Sequence, residues 1–340
     1  MWLSLAAMCF CASPTIADPP SSPGEMLEVA ELNDIFFFDA DQGWAVGDRG
    51  VIWQTQDGGR NWRLVDSPAT CRLESIHFCD ANHGWIVGGW IHPLTHASSA
   101  AVLYTENGGH KWTRLDAPNI PAMKWVRFHD RRRGWAAATN SSVYSSGFLY
   151  TDDGGRSWNE MPIAQSHAVV AATIGDQQQI FAIGRGSKPF TILGNQAQQG
   201  IVPDLGLRQL RDIAWQGSQG WVVGDQGTIL TSRDGGRTWN PPSGRLPDDL
   251  SGNFDWHTIE THGSHCWIAG SPGTIVLYSP DRGVTWQANR TRHRLPIRCL
   301  QFTDEQHGWA AGAFGCILAT RDGGLSWRLQ RKGAERAGVA

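Results

Sequence analysis

The chain has 340 residues, a formal net charge of -3 and 18% charged residues, so neither a basic surface for polyanions nor an acidic tail is written into it, and nucleic acid is not an expected partner. Its 40 glycines and 18 tryptophans, set against 5 methionines and 4 tyrosines, describe an all-β chain rich in turns. No window sustains a 3.6-residue apolar period, whereas short alternating or apolar runs bounded by Gly, Asp and Asn occur throughout.

The N-terminal stretch MWLSLAAMCFCASPTIADPP is apolar from Trp2 to Ala12, with Thr15 and Ala17 placed as in a small-residue cleavage site. It reads as a secretory signal over residues 1–17. The apolar run falls short of the ~20 residues a membrane span needs. Met8 and Phe10 precede Cys9 and Cys11 where a lipoprotein signal needs a small residue, so soluble export is expected. Residues 18–27 read as a linker. The five cysteines beyond the signal, Cys71, Cys79, Cys266, Cys299 and Cys316, show neither zinc spacing nor a disulfide framework and are expected to be small buried residues in strands.

From residue 28 onward two motifs recur. An eight-residue box appears as TQDGGRNW (55–62), TENGGHKW (105–112), TDDGGRSW (151–158), SRDGGRTW (232–239), SPDRGVTW (279–286) and TRDGGLSW (320–327). A companion appears as GWAVG (43–47), GWIVG (84–88), GWAAA (134–138), GWVVG (220–224), CWIAG (266–270) and GWAAG (308–312), and as IFAIG (180–184) in the double-length gap between the third and fourth boxes. Seven units result. Each reads as an apolar strand such as LNDIFFF (32–38), a strand carrying the G-W motif, a third strand, the box and a fourth strand. Four strands in about 45 residues, repeated, predict a seven-bladed β-propeller with four-stranded antiparallel blades over residues 28–331. The blades fall near 28–67, 68–117, 118–163, 164–205, 206–246, 250–291 and 294–331, with 332–340 as a tail.

The box reads as a hairpin staple. Asp57, Asn107, Asp153, Asp234, Asp281 and Asp322 are placed to accept backbone N–H bonds, the glycines permit the turn, and Trp62, Trp112, Trp158, Trp239, Trp286 and Trp327 close it. One acidic side chain per turn falls short of the ~6 oxygens calcium takes, so no metal and no cofactor are expected. These two motifs account for twelve of the tryptophans. Trp90 is different, because it opens an insertion in the second unit, GWIHPLTHASSA (89–100), that also holds His92 and His96. A second insertion, ATNSSVYSSG (138–147), falls in the third unit.

Aligning the units on the G-W tryptophan brings Asn33, Glu74, Lys124, Arg211, His257 and Arg298 to one place, the start of each innermost strand, which rings one mouth of the central channel. Arg72, Arg127 and Arg208 lie nearby in sequence. The candidate partner-binding set is therefore Lys124, Arg211, Arg298, His257, Arg127 and Arg72, since arginines suit bidentate capture of carboxylates.

The box is the BNR or Asp-box, and the pairing of GWAVGDRGVIWQTQDGGRNW (43–62) with GWVVGDQGTILTSRDGGRTW (220–239) resembles the photosystem II stability/assembly factor family of cyanobacteria and plastids. The resemblance spans about 28–331. It implies a non-enzymatic, exported propeller, periplasmic, lumenal or secreted, that holds a membrane protein complex or its assembly intermediate through a basic patch on one face. A monomer is expected.

Two alternatives use the same scaffold: a sialidase-like secreted glycoside hydrolase and a glycan- or peptide-binding module. A sialidase needs a tyrosine nucleophile, yet Tyr104, Tyr150 and Tyr278 each sit one residue before a box, leaving Tyr144. RLP at 294–296 lies in the last blade, and Asp248, Asp249, Asp255 and Glu260 show no paired spacing. The expectation is therefore no enzyme.

Overall fold

A computed structural model describes residues 23–95, 97–139, 144–161, 163, 169–176, 178–184, 186–194, 196–247, 250 and 254–333. They form seven antiparallel sheets, and the strands of every sheet pair in sequence order. The innermost strands are Leu32–Phe37, Arg72–Phe78, Met123–Phe128, Val169–Ile174, Leu210–Gln216, Asp255–His262 and Ile297–Phe302. Each touches its two neighbours, and Ile297–Phe302 packs on Leu32–Phe37, so the ring closes as the seven-bladed propeller expected. Six described sheets have four strands. The fifth has three, its outer strand reduced to a bridge between Thr231 and Asn240, because Pro241 and Pro242 follow and offer no N–H to a ladder. A short helix, Pro23–Glu28, begins inside the segment read as linker.

The boxes are staples of closely similar geometry. In the first, the Thr55 hydroxyl donates to Asp57 Oδ1 at 2.9 Å while accepting from Gly59 N at 3.0 Å. The other donors are Asn61 N, to Oδ1 at 2.9 Å, and Asn61 Nδ2, to Oδ2 at 2.7 Å. Asp153, Asp234, Asp281 and Asp322 repeat the pattern with a hydroxyl from Ser157, Thr238, Thr285 and Ser326. The leading Thr or Ser is thus a hub of the staple, which the sequence reading missed. Both carboxylate oxygens are engaged within the hairpin.

What joins the blades is aromatic. In five junctions the G-W ring of one blade lies flat on an aromatic that ends the innermost strand of the next: Trp309 on Phe37, Trp44 on Phe78, Trp85 on Phe128, Phe181 on Trp215 and Trp267 on Phe302, with centroids 3.6 to 4.0 Å apart. The box tryptophan of the receiving blade meets that same ring edge-on, as Trp62 does on Phe37 and Trp327 on Phe302. Edge-on and offset pairs of this kind add roughly 0.5–1.5 kcal/mol each beyond burial. The indoles of Trp85, Trp267 and Trp309 also donate to carbonyls of the next blade's box, Gly154, Gly323 and Gly58. The glycine before the tryptophan is forced by this packing. A Cβ on Gly43 would stand 2.5 Å from the Phe37 ring, and one on Gly308 2.4 Å from Phe302.

Among the described residues no strand is exchanged to close the ring. The seventh blade ends in Arg328–Arg331, and the Arg331 guanidinium donates to the carbonyls of Gly315 at 2.7 Å and Glu28 at 3.1 Å and pairs with the Glu28 carboxylate. The N-terminal helix is thereby strapped onto the last blade.

Candidate functional site at the channel mouth

Each innermost strand carries one extra residue near its start, where the pairing register with the G-W strand slips. The bulged residues are Asn33, Glu74, Lys124, Val170, Arg211, His257 and Arg298. A bulge leaves its residue out of the ladder and re-aims its side chain, and bulges favour the rims of barrels. Six are the residues aligned from sequence; Val170, 47% exposed, is the seventh and was hidden because the fourth unit lacks a tryptophan.

Every cation of this rim has a carboxylate partner. Lys124 pairs with Glu74, and Arg72 with Glu74 at 3.0 Å and Asp48 at 3.5 Å. Arg211 Nε meets Asp225 at 2.5 Å, and Arg298 Nε meets Glu31 at 2.5 Å. Asn33 fastens the first bulge by donating to Asp48 and to the Leu73 carbonyl. Both arginines on the opposite arc use Nε for their acid, leaving terminal N–H donors on side chains 39% and 38% exposed. Between them stands His257, its Nδ1 3.3 Å from Arg298 Nη1. Burial, then the positive charges of Arg298 and Arg211, depress its pKa to about 4, so it is a neutral spacer at ordinary pH.

Arg127 is corrected by the register. It pairs with Trp135, three residues past the bulge of the third blade, and lines the axial wall rather than the rim. Its guanidinium donates to the Val126 carbonyl at 3.0 Å and lies 5.8 Å from the Trp125 ring. Arg208 holds a turn through the Leu205 and Asp204 carbonyls.

The axial wall holds three carboxyls that the sequence reading passed over or left unassigned. Asp34 and Asp212 follow the bulges of the first and fifth blades, and each reaches one blade forward: Asp34 accepts from Ile35 N and Ile76 N, and Asp212 from Ile213 N and Ile259 N, at 2.8 to 2.9 Å. The shared spelling LNDI (32–35) and LRDI (210–213) is the signal that could have found them. Burial raises the pKa of Asp212 to about 6 against those bonds. Glu260 pairs with Trp267 in register and accepts no hydrogen bond; burial lifts its pKa to about 8, with Arg127 opposing.

Other candidates resolve as structure. Asp255 accepts from Gln226 N at 2.9 Å, Tyr278 bonds His265, and Tyr144 packs in the core between the second and third blades. Cys266, Cys299 and Cys316 are buried, and all five cysteines of the described residues are free thiols. His92 Nδ1 accepts from Leu94 N and Thr95 N, while His96, Asp248 and Asp249 lie outside the described residues. Among the described residues no group of three His, Cys, Asp or Glu side chains converges, and no helix is long and apolar enough to cross a membrane.

Comparison with known proteins bears on the family and the fold. The family described as photosynthesis system II assembly factor YCF48 matches residues 24–123 and 204–301. Photosystem II stability/assembly factor HCF136 of Arabidopsis thaliana is 31% identical over 130 residues, which is 38% of this chain and 32% of that protein. The chain thus spans about a third of that curated relative. A structure described as YCF48 bound to D1 peptide superposes with a TM-score of 0.69 at 19% identity, covering 93% of this chain and 99% of that one. A GH74 xyloglucanase from Xanthomonas campestris gives the same TM-score at 14% identity over 90% of this chain and 55% of its own, a likeness of fold alone.

Proposed function

The chain belongs to the photosynthesis system II assembly factor YCF48 family, and from that membership we propose that it is a non-catalytic, exported assembly factor whose channel mouth holds a carboxylate-bearing segment of a membrane protein complex or its assembly intermediate. The observation that carries this reading is the arc of Arg211, His257 and Arg298, supplied by consecutive bulges on one rim. Asp225 and Glu31 fix the two guanidinium groups through Nε, so the remaining donors are pre-oriented and little side-chain entropy is lost on capture. His257, kept neutral, separates the two charges without adding a third. A family member of the same fold has been seen with a D1 peptide, which fits a peptide-holding role for this rim.

The test is a native pull-down from mild-detergent extracts of the source organism with wild type and a Lys124→Gln, Arg211→Gln, Arg298→Gln triple variant. Glutamine is chosen because glutamate would oppose Glu74, Asp225 and Glu31. A membrane complex captured by wild type and lost from the folded variant supports the reading. Identical partners with both proteins remove the rim as the site.

A further inference from the structure

The insertion of the second blade is built as a rigid projection. At the rim the first blade turns at Asp48–Gly50, directly after Gly47. In the second blade the equivalent Gly88 is passed, and the strands Gly84–Ile91 and Ser98–Thr105 stay paired through Trp90 with Ser99 and Ile91 with Ser98. Three further residue pairs carry the hairpin about 10 Å beyond its neighbours on the mouth side. His92 closes the tip by accepting the amides of Leu94 and Thr95, and His92 N donates to Ala97 O at 2.8 Å. The root is braced on the third blade: Ser98 bonds the Thr139 hydroxyl at 3.0 Å, and Ala100 N donates to Ile120 O at 2.8 Å.

This projection presents apolar side chains to solvent. Trp90 is 68% exposed, Ile91 49% and Leu94 85%. From Ala81 to Thr105 the sequence holds no Lys, Arg, Asp or Glu. Trp90 also walls a 210 Å³ cleft with Thr70, Cys71, Ser99 and Arg114, and Arg114 has no carboxylate partner among the described residues.

We propose that this hairpin is a membrane-surface anchor: Trp90, Ile91 and Leu94 seat in the boundary between headgroups and acyl chains of a bilayer, with Arg114 at the level of the lipid phosphates. A charge carried into that boundary is costly, and this hairpin holds no Lys, Arg, Asp or Glu. Tryptophan favours the interface because its ring is apolar and its N–H finds a wet acceptor. Arg72, paired in register with Gly89 at the root, is held by Glu74 and Asp48, so Arg114, beside Trp90 in the cleft, is left to meet a lipid phosphate beneath a tip that holds no Lys, Arg, Asp or Glu. The anchor lies on the mouth side, so it faces the rim toward the membrane. It goes beyond the client-holding role and does not depend on it, since a bare bilayer suffices.

The test follows amide hydrogen exchange of peptides covering 88–101 in the full-length chain, with phosphatidylcholine vesicles and with mixed phosphatidylcholine–phosphatidylglycerol vesicles. Exchange at the tip slows on both, more on the anionic ones, and Arg114→Gln removes that difference. A Trp90→Ser, Leu94→Ser double variant, altered only at exposed positions, keeps its unfolding midpoint, loses the protection and partitions onto vesicles about ten-fold less or weaker. Exchange at 88–101 unaffected by vesicles, or equally slowed in the double variant, overturns the anchor. So does protection given by detergent-solubilised membrane proteins and not by vesicles, which would make the tip a protein contact.

Discussion

The guanidinium carbon of Arg331 lies 3.7 Å from the centroid of the Trp53 ring, joining the last strand of the seventh blade to the third strand of the first. Arg331 is 8% exposed and also holds the Glu28 and Gly315 carbonyls, so one side chain supplies a cation–π contact and several hydrogen bonds across the seam. Among the described residues no strand is exchanged between first and last blades, and this clasp adds to the Phe37–Trp309 stack, the Trp309–Gly58 bond and the Arg298–Glu31 pair that join them. Arg331→Ala is expected to cost about 2–4 kcal/mol, read from urea unfolding, because it leaves buried carbonyls unsatisfied as well as losing the ring contact. Arg331→Lys, which keeps the charge without the fork, should recover less than half of it.

The carboxylates that reach between blades give a second prediction. Asp212→Ala strands the amides of Ile213 and Ile259 away from any acceptor and is expected to destabilise by about 2–3 kcal/mol. Asp212→Asn keeps one acceptor oxygen and should cost less. Faster hydrogen exchange at Ile259 in the alanine variant would locate the loss at the junction of blades five and six; a loss confined to Ile213 would contradict the bridging role.

Blade count, the staples and six of the seven rim residues were legible in the sequence, because each is a local pattern repeated in register. The aromatic that receives the G-W ring was equally periodic, six residues before the glycine at Phe37, Phe78, Phe128 and Phe302, but it reads as one more apolar strand residue until the neighbouring blade is in place. The pairing of the rim was not legible. Glu31 meets Arg298 across 267 residues of chain, and only ring closure brings them together. Arg127 was misplaced for a related reason: sequence proximity to Lys124 hides that three residues of strand carry it down the axis.

The Asp-box carboxylate differs from a generic turn acceptor by its pair of satisfied oxygens, and the second blade shows what happens with half the set. Asn107 Oδ1 still takes the Thr105 hydroxyl at 2.9 Å and Lys111 N at 3.0 Å. Asp322→Asn is therefore expected to lose at most about 1 kcal/mol, and Asp322→Ala about twice that, by thermal unfolding. Slight burial works against ionisation of Asp234, but bonds from Thr238 and Ser232 outweigh it and hold its pKa at about 2. A depressed carboxyl stabilises above its ordinary pKa of 3.8 and loses that contribution as pH falls toward the folded value, so the gap between wild type and Asp234→Asn should narrow on acidification.

Glu260 carries the opposite sign. Burial is the main reason its pKa sits at about 8, with Arg127 pulling it down and Asp212 and Asp34 pushing it up from across the axis. The folded chain therefore keeps a proton that the unfolded chain has already released near 4.5. Its contribution is full below that value and is lost as pH rises through about 8. Glu260→Gln holds the neutral shape at every pH. The advantage of the variant over wild type is expected to grow by at least about 1 kcal/mol between about pH 5 and pH 8, measured by urea unfolding at both. An advantage that stays constant across that range would mean Glu260 reaches water along the channel and ionises at its ordinary pKa. Arg127→Gln should act in the other direction, steepening the loss, because it removes a cation that favours the ionised carboxylate.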